Sequence, residues 1–187
     1  MFKVKGEGLS PAETTAITNI CSRVAAAAAQ AANMKAGNRG KWFGTMANSD
    51  VLLGNLRTMD KYLNKQCTQL TFVRKATGQI IDSVNAEDSD YGQVLPNVFS
   101  TTVGFKQTTK HVSSGLRIFA MNELIRAIAT NDIKEQLNYV YHEVSHKVLD
   151  TMDYKYGKPK CKALAINNPG RAVKNADNYG YFICEVA

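Results

Sequence analysis

Five consecutive residues, His142-Glu143-Val144-Ser145-His146, have the types and spacing of a hydrolytic metal site. On a helix, positions i and i+4 lie on one face. Both imidazoles can therefore hold a single ion while the glutamate between them stands close enough to an activated water to take its proton. Zinc accepts neutral histidine nitrogens at about 2.0–2.1 Å, and two of them leave room for a third protein ligand and for water. The chain has only three histidines, and two fall in this box. His111 lies outside any motif and reads as an ordinary loop histidine. A third ligand must come from downstream, where Asp150 and Asp153 are the available carboxylates. Ligands at 142, 146 and 150 along one helix would span about 12 Å at 1.5 Å per residue, too far to share one ion. Asp153 lies where the helix can end and the chain turn back, and it is the better candidate.

These residues need a helix to carry them. Ile133, Leu137, Val140, Tyr141, Val144, Val148 and Leu149 recur at helical spacing, and Asp132 with Glu135 three residues on resembles a capping box. A helix over residues 132–150 follows. Earlier in the chain, Ser10 as N-cap and Pro11 at the first helical position predict a long helix to about residue 33, broken by the stretch 37–40. A second helix over 49–65 carries Val51, Leu52, Leu56, Met59 and Leu63 on one face. From 68 to 119 the pattern turns strand-like, with Leu70, Phe72 and Arg74, then Val94 and Leu95, then Leu116, Ile118 and Phe119. Two shorter helices, over 159–167 and 170–184, close the chain. Helices, a small central sheet and helices again make an α+β fold, mostly helical. At 187 residues and 44% hydrophobic content the chain makes one core and one domain, 1–187.

Beyond the box, the chain resembles a known family. HEVSH followed by T-x-D-x-x-Y-G is similar to the aspzincins, the zinc endopeptidases of the deuterolysin and peptidyl-Lys metalloendopeptidase type, whose pattern is HExxH followed by GTxDxxYG. Trp42-Phe43-Gly44-Thr45 is like the family's WFGS, residues 91–99 (YGQVLPNVF) are like a strand ending in YPNRF, and residues 167–182 are like NPDKAVxNADNxEYF. The resemblance runs in family order from about residue 10 onward.

That resemblance implies a zincin-type metalloprotease with one catalytic Zn²⁺. His142, His146 and Asp153 would be the ligands, within a zinc site over 142–157, and Glu143 the general base. Tyr156 matches the tyrosine whose hydroxyl stabilises the developing oxyanion. Asp177 matches an aspartate that attracts a substrate lysine in the pocket for the residue after the scissile bond, here within 170–184. Three departures stand out. Asp150 replaces the glycine of GTxD, the gap from His146 to Asp153 is short, and Gly180 replaces the pocket's second acid. A lone Asp177 offers an ammonium ion less charge and fewer acceptors, which weakens a lysine preference.

The remaining composition narrows the setting. No stretch of about 20 strongly apolar residues exists, so no membrane span is expected, and no pattern marks nucleic-acid recognition. The N-terminus lacks the apolar core of a secretory signal. Cys21, Cys67, Cys161 and Cys184 follow no zinc-finger spacing, and two disulfides or four free thiols are both open. The net charge of +7 includes Lys155, Lys158, Lys160, Lys162, Arg171 and Lys174 close after the metal turn, either a solvated face or a rim that attracts acidic proteins. The expectation is a zinc endopeptidase acting on protein or peptide substrates, secreted or delivered into a target cell. A bacterial effector or toxin domain restrained by an inhibitor or immunity protein is one such setting. The alternative is a zinc-binding interaction module that does not cleave, for which Glu143 and Tyr156 would have no physical use.

Overall fold

Ser10 and Pro11 open the first helix as their positions dictate. Pro11 needs no partner for a backbone N–H, the Ser10 hydroxyl accepts from the Glu13 N–H (3.2 Å), and the Glu13 carboxylate accepts from the Ser10 N–H (2.8 Å). The computed structural model describes residues 2–31, 33–34, 36–74, 80–81, 84–85 and 115–187. Strand β1 (Lys3–Glu7) precedes helices α1 (Pro11–Ala31), α2 (Ala36–Phe43) and α3 (Asp50–Lys61). Then come β2 (Gln69–Arg74), the short antiparallel pair β3 (Ile80–Ile81) and β4 (Val84–Asn85), and β5 (Gly115–Ala120). Helices α4 (Asn122–Ala129), α5 (Ile133–Leu149), α6 (Lys158–Asn167), α7 (Pro169–Ala172) and α8 (Ala176–Val186) complete it.

The main sheet is parallel, in the order β1-β2-β5, with Val4, Leu70 and Leu116 in register. Parallel neighbours need crossover connections, and helices α1, α2 and α3 lie in the one from β1 to β2. The expected α+β architecture, mostly helical around a small sheet, is therefore present. Its strands include β1, which the sequence reading did not foresee. The expected strand residues Val94 and Leu95, the 91–99 segment and His111 lie outside the described residues.

Three expectations need correction. Residues 37–40 do not break the chain: α2 runs through both glycines, anchored by buried Trp42 and Phe43 and by the Arg39 guanidinium, which donates to the Ala47 carbonyl (2.8 Å). Helix α4, with Leu124 and Ala127 buried, was unanticipated. The helix expected over 170–184 is two, because Asn175 adopts an extended conformation (φ −102°, ψ 120°) and starts α8 afresh.

Helix α5 is the axis of the molecule. Every residue from Gln136 to Ser145 is buried, so it packs on all sides and not along a single stripe. Its neighbours are α8, α1, α4 and α3. Asp132 caps it by accepting from the Glu135 N–H (3.0 Å), as its spacing predicted. The buried Tyr139 hydroxyl donates to the Phe119 carbonyl (2.6 Å) and accepts from the Met121 N–H (3.2 Å), pinning the end of β5 onto the helix one turn before His142. Gly44, just past α2, has φ +55°, and a Cβ there would stand 2.0 Å from the Ala165 carbonyl oxygen, so only glycine lets this turn sit on α6. No described helix is long and apolar enough to cross a membrane. All four cysteines are free thiols, three of them buried.

Candidate metal centre

Helix α5 places His142 and His146 one turn apart, with their Nε2 atoms 3.0 Å from each other. The helix ends at Asp150, which takes the left-handed conformation (φ 59°, ψ 38°) that the family's glycine would adopt freely. Aspartate tolerates that region better than most residues, so the turn survives the substitution. The chain then doubles back. Met152 pairs with Asn175 in a short parallel bridge, with the Met152 N–H donating to the Lys174 carbonyl (2.7 Å) and the Ala176 N–H to the Met152 carbonyl (3.1 Å). This brings Asp153 under the histidines. Its Oδ1 lies 3.3 Å from both Nε2 atoms.

These separations suit one ion. Ligands at about 2.0–2.1 Å in a tetrahedral arrangement stand about 3.3–3.4 Å apart, close to what the three donor atoms show. Among the described residues, His142, His146 and Asp153 are the group of side chains that could hold a metal. Asp150, the other carboxylate considered, is not among them. The opposite ring nitrogens are also engaged. His142 Nδ1 lies 2.8 Å from Asp177 Oδ1, and His146 Nδ1 lies 2.8 Å from the Thr151 carbonyl. Such partners orient an imidazole so that Nε2 faces the ion. Ser145 and Thr151 hydroxyls, 2.8 Å apart, brace the turn between them.

Electrostatics follow the same geometry. Burial opposes protonation of His142, but the hydrogen bonds it donates to Asp153 and Asp177 and the charge of Glu143 outweigh it and push its pKa up to about 10. Burial likewise opposes ionisation of Asp153, and the two histidines overcome it, holding the carboxyl well below its usual range. The metal-free cluster therefore keeps a proton that a cation would displace.

The other expected residues divide. Glu143 is fully buried, with Oε1 3.8 Å from His142 Nε2, so it borders the place where the donors converge. The half-buried Tyr156 stacks on the His142 ring, with centroids 6.3 Å apart. Asp177, expected in the substrate pocket, is fully buried, and its second oxygen accepts from the Gly157 N–H (2.8 Å). It thus braces the His142 ring against the turn at Gly157. Two asparagines missed by the sequence reading complete that brace. Asn175 accepts from the Lys155 N–H (2.9 Å) and donates to the Lys155 carbonyl (3.0 Å). Asn178 donates to the carbonyls of Trp42 (2.6 Å) and Cys161 (3.1 Å), joining the Trp42-Phe43-Gly44 segment to α8. Polar residues inside the buried run from Ala176 to Ile183 were the available signal, since buried amides require partners.

Comparison with known proteins places the chain in a family. The family described as lysine-specific metallo-endopeptidase, the aspzincins, matches residues 28–184. This chain belongs to the aspzincin family. Aspzincins are zinc-dependent metalloendopeptidases. Two relatives share local identity with this aspzincin domain. One is a peptidyl-Lys metalloendopeptidase of Armillaria mellea, 54% identical over 43 residues, or 22% of this chain and 12% of that protein. The other is a peptidyl-Lys metalloendopeptidase of Grifola frondosa, 42% identical over 55 residues, or 28% of this chain and 16% of that protein. The matched stretches thus span a small part of either relative. The solved structure of a zinc peptidase from Grifola frondosa has the same fold, with a TM-score of 0.65 at 21% identity over 95% of this chain and 97% of that one.

Proposed function

We propose that this chain is a single-domain zinc endopeptidase that hydrolyses peptide bonds within proteins. The observation that carries the reading is the convergence of His142 Nε2, His146 Nε2 and Asp153 Oδ1 at mutual distances of 3.0–3.3 Å, beside buried Glu143. These three residues would hold a zinc ion, which when bound would supply Lewis acidity and an acidified water. Glu143 takes the proton of the attacking water and passes it to the departing amine. The phenol of Tyr156 donates to the oxygen that gains charge as the carbonyl becomes tetrahedral, an interaction worth several kcal/mol where water is excluded. Asp177 fixes the His142 ring through Nδ1 and leaves its Nε2 for the metal. With Asp177 committed in this way and Gly180 in place of a second acid, the chain lacks the paired carboxylates that would favour lysine.

The setting we infer is a secreted or delivered domain, such as an effector or toxin, with a protein inhibitor as the natural restraint. Four free thiols support work in a reducing compartment, where structural disulfides are rare.

The test pairs metal analysis with cleavage of a broad peptide mixture by wild type and Glu143→Gln. One zinc per chain in both proteins, with cutting by wild type alone, is the expected result. Stoichiometric zinc and no cutting by either would favour a binding module; absence of zinc would remove the proposal.

A further inference from the structure

The positive charge of this molecule is concentrated in one place. Between residues 154 and 176 there are six basic residues and no acidic one, while the rest of the chain is nearly balanced, so this segment carries almost all of the net +7. Lys155, Lys158, Lys160, Lys162, Arg171 and Lys174 are all exposed, and none forms an ion pair with a carboxylate among the described residues. A merely solvated run usually mixes both signs; this one does not, and Glu135 is a carboxylate that the fold brings toward Lys158.

The same segment carries apolar surface. Of the four large hydrophobic side chains exposed among the described residues, Met152 (56%), Tyr154 (37%) and Ile166 (78%) fall between 152 and 166. Met152 and Tyr154 flank the ligand Asp153 on either side, so the surface reaches the metal centre itself. Several cations are held in place over aromatic rings. Arg171 lies 5.4 Å from the Tyr154 ring, Lys158 lies 5.6 Å from Tyr181, and Lys162 lies 5.7 Å from Trp42, whose ring stacks on Tyr181 at 5.4 Å. Lys158 and Lys162 are four apart on α6 and so share one face. Held cations lose less freedom on engaging an anion than free ones would.

We propose that the face formed by residues 152–174 is a docking surface for an acidic stretch of the polypeptide substrate, one that also carries apolar side chains. This rests on the endopeptidase reading above. A polypeptide is favoured over other polyanions because the surface is continuous with a centre built for peptide bonds and because exposed Met152, Tyr154 and Ile166 suit apolar side chains. Unpaired positive charge raises the local concentration of an acidic partner and speeds its arrival, and the flanking apolar groups prolong its stay.

The experiment uses the Glu143→Gln chain, which cuts nothing, and fluorescent peptides of equal length. In one, glutamates alternate with leucines; in the others glutamine or lysine replaces the glutamates. The acidic peptide should bind at least about tenfold more tightly than the glutamine peptide near 50 mM salt and lose most of that margin near 500 mM. The combined variant Lys160→Glu, Lys162→Glu, Lys174→Glu should abolish the margin while still holding one zinc per chain and melting like its parent. Equal binding of the acidic and glutamine peptides overturns the proposal. So does tighter binding of single-stranded RNA or phosphatidylserine vesicles than of the acidic peptide. Cleavage by the wild-type chain is read separately. Cutting without acidic preference removes only the docking surface, and acidic binding in a chain that cuts nothing removes only the endopeptidase.

Discussion

Asp177 accepts from the His142 imidazole and from the Gly157 N–H, so replacing it disturbs a ligand and the turn bearing Asp153 and Tyr156 together. Asp177→Asn should lower zinc affinity by about 10–100-fold in a chelator competition, the usual cost of losing a carboxylate behind a metal histidine. A pocket role predicts something else: unchanged zinc affinity and a raised KM only for lysine-containing peptides. Protonation gives a second expectation at this scale. Without metal, the His142 pKa stands near 10 against an ordinary 6.5, so its contribution to stability is complete below pH 6.5 and fades as pH rises toward 10. Asp153 has the opposite sign: its contribution holds above its ordinary 3.8 and is lost as pH falls well below that. The melting temperature of the chelated protein should therefore decline from pH 6.5 to 10, and one zinc per chain should remove that decline. A flat profile in the chelated protein would contradict the cluster's geometry. The cluster of His142, His146 and Asp153 was legible in the sequence because i, i+4 spacing and a carboxylate just past the helix end are local features. The brace was not, because Asp177 meets His142 across 35 residues.

Helices α5 and α8 approach closely at Gly180. A Cβ there would fall 1.9 Å from the Asn138 Oδ1 and 2.9 Å from its carbonyl oxygen, so the acid expected from the family has no room. Asn138 is itself buried, with neither side-chain polar atom partnered among the described residues. Gly180→Ala should destabilise the domain by about 1–3 kcal/mol through overpacking, seen as a lower denaturation midpoint at unchanged slope. Adding Asn138→Ala should recover part of that loss, since the two changes share one contact. Helices with a cap and a clear period, α1, α3 and α5, were readable in advance. The missed elements lack such marks. Helix α4 has no side-chain cap, α2 contains two glycines, and β1 acquires its partner only when β2 arrives more than 60 residues later.

For the whole molecule, the distribution of charge and cysteine matters more than the totals. One core joins elements from α1 to α8, and no disulfide crosses it. A reducing agent should thus leave the melting temperature unchanged. A chelator should lower it, because an ion bound only by the folded state stabilises that state by mass action. A fall with reductant alone would mean that cysteine pairs form in solution. The sequence displayed the run of cations but not its meaning. What the structure adds is that exposed Met152 and Tyr154 lie at the edge of that run, on either side of Asp153.

The bond between His142 and Asp177 also orders events during synthesis. The histidine box is made first, and the carboxylate that orients it leaves the ribosome 35 residues afterwards. An unfinished chain therefore presents His142 without the carboxylate behind it, while His146 already has the Thr151 carbonyl. The brace is complete only when α8 docks on α5, so a chain truncated before α8 should hold zinc less tightly than the full chain in the same chelator competition.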